Sequence, residues 1–259
     1  MWSCSSLPWG IESCEATPKE PSPAYTGAEA WRWGLRAQVA VGEKTAAQRS
    51  TAPSAQDADT ESAGAVTLDP WVLAITGASG APYAVRLLGV LARARVPIHL
   101  IVSSHGWRLL DTEAGISSIG ALEDGAGGDW TDVTVFDNSD RGATPASGSA
   151  KSSGMVICPC SMGTVSAIAH GASRSLVERA ADVTLKERRP LIVVPRETPL
   201  SLVHLRNLTA LAEAGATVVP AAPGFYHRPK KVEDLVDFVV QRVIDQMRVD
   251  VELIPRWQP

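Results

Sequence analysis

From Trp71 onward the chain alternates short, wholly apolar runs with segments of helical spacing. The first two runs are WVLAIT (71–76) and PIHLIVS (97–103), and the helix-patterned YAVRLLGVLARAR lies between them. Apolar runs without polar alternation are typical of strands that are buried on both faces of a parallel sheet. This pattern restricts the chain to βαβ units, in which helices cover the sheet.

The same alternation continues to the end of the chain. It predicts further strands at VTVF (133–136), MVICP (155–159), LIVVP (191–195) and ATVVP (216–220), and helices from Ser161 onward, over 199–215 and over 232–247. Two Gly/Ser-rich connections are predicted at 115–130 and 137–154. The predicted fold class is α/β: a doubly wound, mainly parallel sheet in a three-layer αβα sandwich of the flavodoxin or Rossmann type, forming a single domain.

Residues 1–69 have a different composition, rich in Ala, Ser, Thr, Glu and Pro, and they show no sustained period of 2 or 3.6. Such a segment is predicted to be a mostly disordered extension, with a short helix over 28–41 as its one candidate element. The folded domain is therefore expected to span 70–259.

Charge and cysteine content exclude several classes of function. The net charge of −4 lies in the N-terminal part, where residues 1–70 carry nine acidic and five basic side chains. The rest has no basic excess, which argues against nucleic-acid binding.

No apolar run is long enough to span a bilayer, so we expect no membrane association. Four cysteines, too few for a disulfide framework, suit a reducing compartment and predict a cytoplasmic protein, although the extension leaves organelle targeting open.

The stretch ICPCSMGTVSAIAHG (157–171) resembles a metal or redox site at first sight. Cys158 and Cys160 are one residue apart, a spacing that suits zinc poorly, and His170 lies about 15 Å further along the predicted helix. We therefore expect no metal and a buried structural role for Cys158. The polar residues that follow the strand, Ser161 and Thr164, are good helix caps, and a helix N-terminus binds anions. The stretch is interpreted as a phosphate or flavin cradle.

Two other strand ends carry candidate ligand groups. GASGAP (77–82) has G-x-x-G spacing, and Ser103 stands where a dinucleotide site has an acidic residue, so a mononucleotide is favoured over NAD. A tight turn without a ligand is the alternative. Arg196 and Glu197 follow the strand LIVVP, where they could serve phosphate binding and proton transfer or form a surface ion pair. Lys186 and Arg242, taken alone, are interpreted as solvated helix-face charges.

Taken together, these stretches resemble the UbiX-type flavin prenyltransferase family, formerly described as aromatic acid decarboxylase subunits. The resemblance runs from about Trp71 to Trp257. It is carried by TGASGAPYAVRLL, PASGS (145–149), MVICPCSMGT, ERAADVTLKERRPLIVVPRETP, PGFYHRP, EDLVDFVV and PRW (255–257).

The resemblance implies an enzyme, a homo-oligomer and three groups of site residues. It implies that reduced FMN binds at subunit boundaries as a substrate. The residues implied to bind FMN are Gly77, Ala78, Ser79, Ser103, Ser161, Met162, Gly163, Thr164 and Arg196. It implies dimethylallyl phosphate as second substrate, bound by Lys186, Tyr226, Arg242 and Trp257. In the implied reaction the dimethylallyl group would join flavin N5 and then C6, and Glu197 and Ser79 would relay protons. No metal is implied. The product, prenylated FMN, would be delivered to a UbiD-type decarboxylase, and the family suggests a dodecamer.

Two alternatives remain at this point. One is an FMN-dependent decarboxylase of cysteinyl substrates with the same fold; those relatives carry P-A-S-A-N-T where this chain has PASGSA, so the expected Asn is missing. The other is a non-catalytic FMN-binding interaction protein that docks through its extension. FMN binding alone would not require Lys186, Glu197, Tyr226 and Arg242 together.

Overall fold

The computed structural model describes residues 69–256 and two short strands near the N-terminus. These strands, β1 (Ser3–Ser6) and β2 (Glu12–Glu15), pair antiparallel, with Ser3 opposite Glu15. The sequence pattern did not indicate them. The helix expected over 28–41 and the predicted substrate residue Trp257 lie outside the described residues.

Residues 69–256 contain six strands and seven α-helices. The strands are β3 (Trp71–Ile75), β4 (Ile98–Val102), β5 (Val133–Asp137), β6 (Gly154–Cys160), β7 (Leu191–Pro195) and β8 (Thr217–Val218). The helices are α1 (Ala81–Arg93), α2 (Ser104–Ala114), α3 (Ile119–Ala126), α4 (Met162–Ala169), α5 (Leu176–Lys186), α6 (Leu202–Glu213) and α7 (Val232–Met247).

The six strands form one sheet in the order β5-β4-β3-β6-β7-β8, and every neighbouring pair is parallel. The chain moves outward from β3 in one direction and then returns to add β6 on its other side. This is the doubly wound topology, so the predicted fold class is confirmed. Ligands in such sheets bind beyond the carboxyl ends of the strands at the reversal point, which here lies between β3 and β6.

The strand β3 divides its side chains between two hydrophobic cores. Leu73 and Ile75 enter the core that α1 and α7 cover, whereas Val72 and Ala74 enter the core that α4 and α5 cover. Because side chains alternate along a strand, a strand buried on both faces must be apolar throughout. The apolar run at 71–75 is therefore explained by helices on both sides of the sheet.

The sequence interpretation missed two helices, α2 and α3, and merged two others. Helix α3 lies inside the connection predicted at 115–130; Ser118 caps it by accepting a hydrogen bond from the amide of Ala121. Leu122 of this helix is fully buried, so tertiary packing outweighs the poor helix propensity of its glycines. The helical segment predicted from Ser161 is two helices, α4 and α5.

Candidate active site

The ends of β3 and β6 are joined by a buried hydroxyl group. Thr76 is 2% exposed, and its Oγ1 donates to the carbonyl oxygen of Pro159 at 2.9 Å and accepts from the amide of Ser161 at 2.9 Å. This side chain holds the two strand-end loops at a constant separation at the reversal point of the sheet. Sequence reasoning missed Thr76, although a threonine that ends an apolar strand was a visible signal.

The loop after β3 carries the predicted residues Gly77, Ala78 and Ser79 into the first turn of α1. The amides of Gly80 and Ala81 both donate to Oε2 of Glu113, each at 2.8 Å. A carboxylate from the last turn of α2 therefore satisfies the N-terminal amides of α1, where a helix dipole favours an anion. Glu113 gave no signal in the sequence, because it lies 33 residues from Gly80 and becomes its neighbour only through folding.

The loop after β6 forms the predicted helix start. Ser161 is the N-cap of α4: its Oγ accepts from the amide of Thr164 at 3.2 Å and lies 3.0 Å from the hydroxyl of Thr164. Met162 is buried beneath the turn and anchors it. Gly163 is exposed, and a Cβ added there would have only Ser161 Oγ near it, at 3.8 Å. The capping prediction is confirmed, and the turn presents an open, small-residue surface.

The loop after β7 reaches across β6 to the loop after β3. Arg196, which is half-buried, donates from Nε to the carbonyl oxygen of Ser79 at 3.0 Å. Glu197 is exposed, and its Oε1 accepts from the amide of Thr198 at 3.1 Å. Within residues 69–256 no ion pair joins Arg196 to Glu197, so the alternative of a simple surface pair does not describe this loop.

Ser103 and Tyr83 complete this edge of the sheet. Ser103 caps α2, because its Oγ accepts from the amide of Gly106 at 3.0 Å. Tyr83, which sequence reasoning missed, lies beside Cys158 and Arg196. Burial raises the pKa of its phenol, Cys158 adds to that rise and Arg196 opposes it. The structure thus brings the three predicted strand-end loops together at the carboxyl edge of the sheet.

The three predicted substrate residues that the structure describes do not all lie together within one chain. Lys186 ends α5, is paired with Glu187, and lies against Gly148, where an added Cβ would be 2.6 Å from Nζ. Tyr226 precedes α7, with its ring 5.6 Å from that of Phe238. Arg242 lies on α7 and donates to Asp245 at 3.0 Å. Since α5 and α7 cover opposite faces of the sheet, Lys186 is separated from the other two by the sheet itself.

The two cysteines of β6 are fully buried, as the sequence predicted for Cys158. Burial raises the pKa of the Cys158 thiol to about 12 and raises that of Cys160 as well, with the neighbouring Cys158 adding to the second shift. A thiolate is the form that binds metals and attacks electrophiles, so these thiols are chemically quiet. Within the described residues, no group of three or more His, Cys, Asp or Glu side chains is placed to hold a metal ion.

We expect Cys158 and Cys160 to resist alkylation in the native protein. With a pKa of about 12, only about one Cys158 thiol in 10,000 is ionised at pH 8, and the thiols are also inaccessible. Mass mapping after iodoacetamide treatment should show both residues unmodified in buffer and fully modified in urea. Rapid modification of either residue in buffer would show that β6 is accessible and would contradict its structural role.

Comparisons with known proteins show what this arrangement resembles. Residues 60–244 match the Flavoprotein family. Flavin prenyltransferase UbiX of Pseudomonas aeruginosa is 47% identical over an alignment of 192 positions that covers 71% of this chain and 92% of the relative. Flavin prenyltransferase UbiX of Synechocystis sp. is 48% identical over an alignment of 199 positions that covers 73% of this chain and 96% of the relative.

Solved structures give the same result. AnUbiX (PadA1) in complex with FMN and dimethylallyl pyrophosphate is 36% identical, with a TM-score of 0.66, and the match covers 74% of this chain and all of that one. A dodecameric FMN-dependent Ubix-like decarboxylase from Escherichia coli O157:H7 is 39% identical, with a TM-score of 0.66, over 73% of this chain and 100% of that chain.

Proposed function

The chain belongs to the UbiX-type flavin prenyltransferase family, and from that premise we infer that it joins the dimethylallyl group of dimethylallyl phosphate to reduced FMN, at N5 and then at C6. It is a prenyltransferase and a flavoprotein whose flavin is FMN. The observation that carries the proposal is the meeting of three strand-end loops at the reversal point of the sheet, tied by the hydrogen bond from Arg196 to Ser79.

We propose that the loops after β3, β6 and β7 hold FMN. The open turn at Gly163 allows a phosphate to approach the N-terminus of α4, and Arg196 supplies a fixed positive charge at the same edge. These groups fit a phosphate monoester. The flavin-binding residues proposed on this basis are Gly77, Ala78, Ser79, Ser103, Ser161, Met162, Gly163, Thr164 and Arg196.

We propose that Lys186, Tyr226 and Arg242 bind the phosphate of the second substrate across a subunit boundary. The sheet separates Lys186 from the other two within one chain, yet the Lys186 and Arg242 side chains are 47% and 52% exposed and Tyr226 is 52% exposed. A neighbouring subunit can therefore supply the missing partner. The dodecameric Escherichia coli relative supports a homo-oligomer, and a dodecamer is our proposal for this chain. Trp257 remains a sequence-based proposal for the same site.

The chemistry assigns different tasks to these groups. Flavin supplies the electron-rich atoms that take up the dimethylallyl group as its C–O bond to phosphate breaks. Lys186 and Arg242 stabilise the charge on the departing phosphate, because fixed positive charges need no reorganisation during the reaction. Glu197 accepts the proton that is lost on ring closure, and the hydroxyl group of Ser79 relays it, since both residues follow strands that end at the flavin edge.

The direct test is the mass of the flavin after reaction. The full chain is incubated without oxygen with reduced FMN and either dimethylallyl phosphate or dimethylallyl diphosphate, and the released flavin is analysed by mass spectrometry. We expect a gain of one C5 unit with the monophosphate. If the protein binds FMN but the flavin mass is unchanged, the proposed activity is wrong. Release of carbon dioxide from an aromatic acid would instead support a decarboxylase. Tight binding of NAD without binding of FMN would contradict the proposed flavin site.

The domain limits and the cellular setting are proposals that go with this function. We propose 70–259 as the catalytic domain and 1–69 as an extension, because the aligned lengths of 192 and 199 residues already cover more than nine-tenths of the relatives. We further propose that the enzyme works in the cytoplasm and that its product is used by a UbiD-type decarboxylase. Among the described residues, no helix is both long and apolar enough to cross a membrane.

A further inference from the structure

After α7 ends at Met247, residues 249–256 run back along this helix. Val249, Val251 and Leu253 pack against the core that α1 and α7 cover. The segment contains no helix or strand, so polar contacts have to supply the hydrogen bonds that regular structure would otherwise make. We call residues 249–256 the C-terminal strap.

Gln241 of α7 binds the strap with both ends of its amide. Its Nε2 donates to the carbonyl oxygen of Val251 at 3.0 Å, and its Oε1 accepts from the amide of Leu253 at 2.5 Å. The residue is only 4% exposed. A buried amide is costly unless its donors and acceptors are satisfied, so this side chain holds the strap in one position.

Asp245 connects Gln241 to two arginines. Its Oδ1 accepts from Gln241 Nε2 and from Arg256 Nη1, each at 3.0 Å, and its Oδ2 accepts from Arg242 Nη1 at 3.0 Å. The Asp245 side chain is 14% exposed, whereas Arg242 is 52% exposed. One nearly buried carboxylate therefore holds two guanidinium groups, and the three charges together leave a net charge of +1.

The strap also forms one wall of a cavity of about 890 Å³. Tyr226, His227 and Arg228 also line this cavity, and so does Arg256 from the strap. The contacts of Asp245 thus connect Arg242 on α7 to the wall of a cavity that Tyr226 also lines.

We propose that Gln241 and Asp245 are positioning residues: together they hold Arg242 and the strap in the arrangement that binds the phosphate of the allylic substrate. The proposal rests on the proposed function, in which Arg242 is a phosphate partner. An arginine side chain loses much conformational freedom when it binds a ligand, and prior fixation by Asp245 lowers that cost.

The substitution Asp245→Asn distinguishes a positioning role from a purely electrostatic one, because the two roles predict opposite changes in the affinity for dimethylallyl phosphate. Removing a negative charge beside two arginines would by Coulomb attraction leave phosphate binding unchanged or tighten it. Loss of positioning instead weakens binding, and we expect the Kd for dimethylallyl phosphate to rise about tenfold while the Kd for FMN stays within about twofold. Asp245→Glu, which retains the carboxylate, should recover most of the affinity.

The experiment measures binding of dimethylallyl phosphate to the FMN-loaded full chain by calorimetry. Arg242→Ala gives the reference loss for the phosphate partner itself. Asp132→Asn is the matched control, because it removes another carboxylate that pairs with an arginine, at 2.9 Å from Arg95. Gln241→Leu changes no charge; it should weaken substrate binding and raise hydrogen exchange of peptides covering 249–256 about tenfold or more, since the amide of Leu253 loses its acceptor.

Each outcome supports or overturns the proposal. Weaker substrate binding by Asp245→Asn and Gln241→Leu, with FMN binding intact and Asp132→Asn unchanged, supports it. If Asp245→Asn binds the substrate as tightly as the wild type, or more tightly, Asp245 is only a counter-charge and the proposal is wrong. Faster exchange in the strap without weaker binding would overturn the link to the substrate. Failure of the wild type itself to bind dimethylallyl phosphate would instead contradict the proposed function, and with it the role of Gln241 and Asp245 in the reaction.

Discussion

Glu197→Gln should lower turnover about a hundredfold while both substrates still bind, because it removes a proton acceptor and little else. Glu197 is exposed, and the oxygen of a glutamine amide can keep the hydrogen bond that Oε1 accepts from the amide of Thr198 at 3.1 Å. Single-turnover kinetics with reduced FMN and dimethylallyl phosphate, together with the Kd values of both ligands, measure the effect. A flavin that carries the C5 unit without the second ring should accumulate.

The matched control is Glu213→Gln, which changes another exposed carboxylate at the end of α6 and should leave turnover unchanged. If Glu197→Gln abolishes FMN binding but the remaining bound flavin reacts at the normal rate, Glu197 supports the loop that carries Arg196 and takes no part in proton transfer.

Gly106→Ala should lower the free energy of unfolding by about 3 kcal/mol, because α2 and β3 meet at this residue without room for a methyl group. A Cβ on Gly106 would lie 2.4 Å from the carbonyl oxygen of Ile75 and 3.2 Å from Cγ1 of Val102. That carbonyl oxygen accepts a hydrogen bond from the amide of Ser103 at 3.0 Å, so it cannot move away without loss. Urea denaturation measures the change.

Gly120→Ala serves as the control for this prediction. Gly120 lies in α3, and a Cβ added there meets nothing within 4 Å. Alanine is the better helix former, so this variant should be as stable as the wild type or up to about 1 kcal/mol more stable. FMN affinity should fall in Gly106→Ala alone, since α2 carries Ser103 and Glu113 to the candidate site. Equal stabilities of the two variants would mean that α2 can shift to admit the methyl group.

Local pattern was sufficient for much of the fold. The run at 71–76 predicted a strand that is covered by helices on both faces of the sheet. Such a strand has no solvent-facing position for a polar side chain, and the only polar residue of this run, Thr76, stands at its end. The helix start at Ser161 was predictable because a cap bonds to an amide only three residues away. Helix α3 was not predictable in this way, since its support comes from the burial of Leu122 against distant parts of the chain.

By itself, then, the sequence determined the positions of the six strands of the parallel sheet, the doubly wound class, the family, and the chemistry available at three strand ends. Each of these depends on residue type and on spacing within a few positions. Only the tertiary structure decided which distant groups meet. Ser79 contacts Arg196 across 117 residues, and Glu113 reaches Gly80 across 33. It also decided that Lys186 lies apart from Tyr226 and Arg242. Lys186 is on α5 and Arg242 on α7, and these helices cover opposite faces of the sheet. The face that a helix covers depends on the topology of the whole chain, which local spacing does not encode.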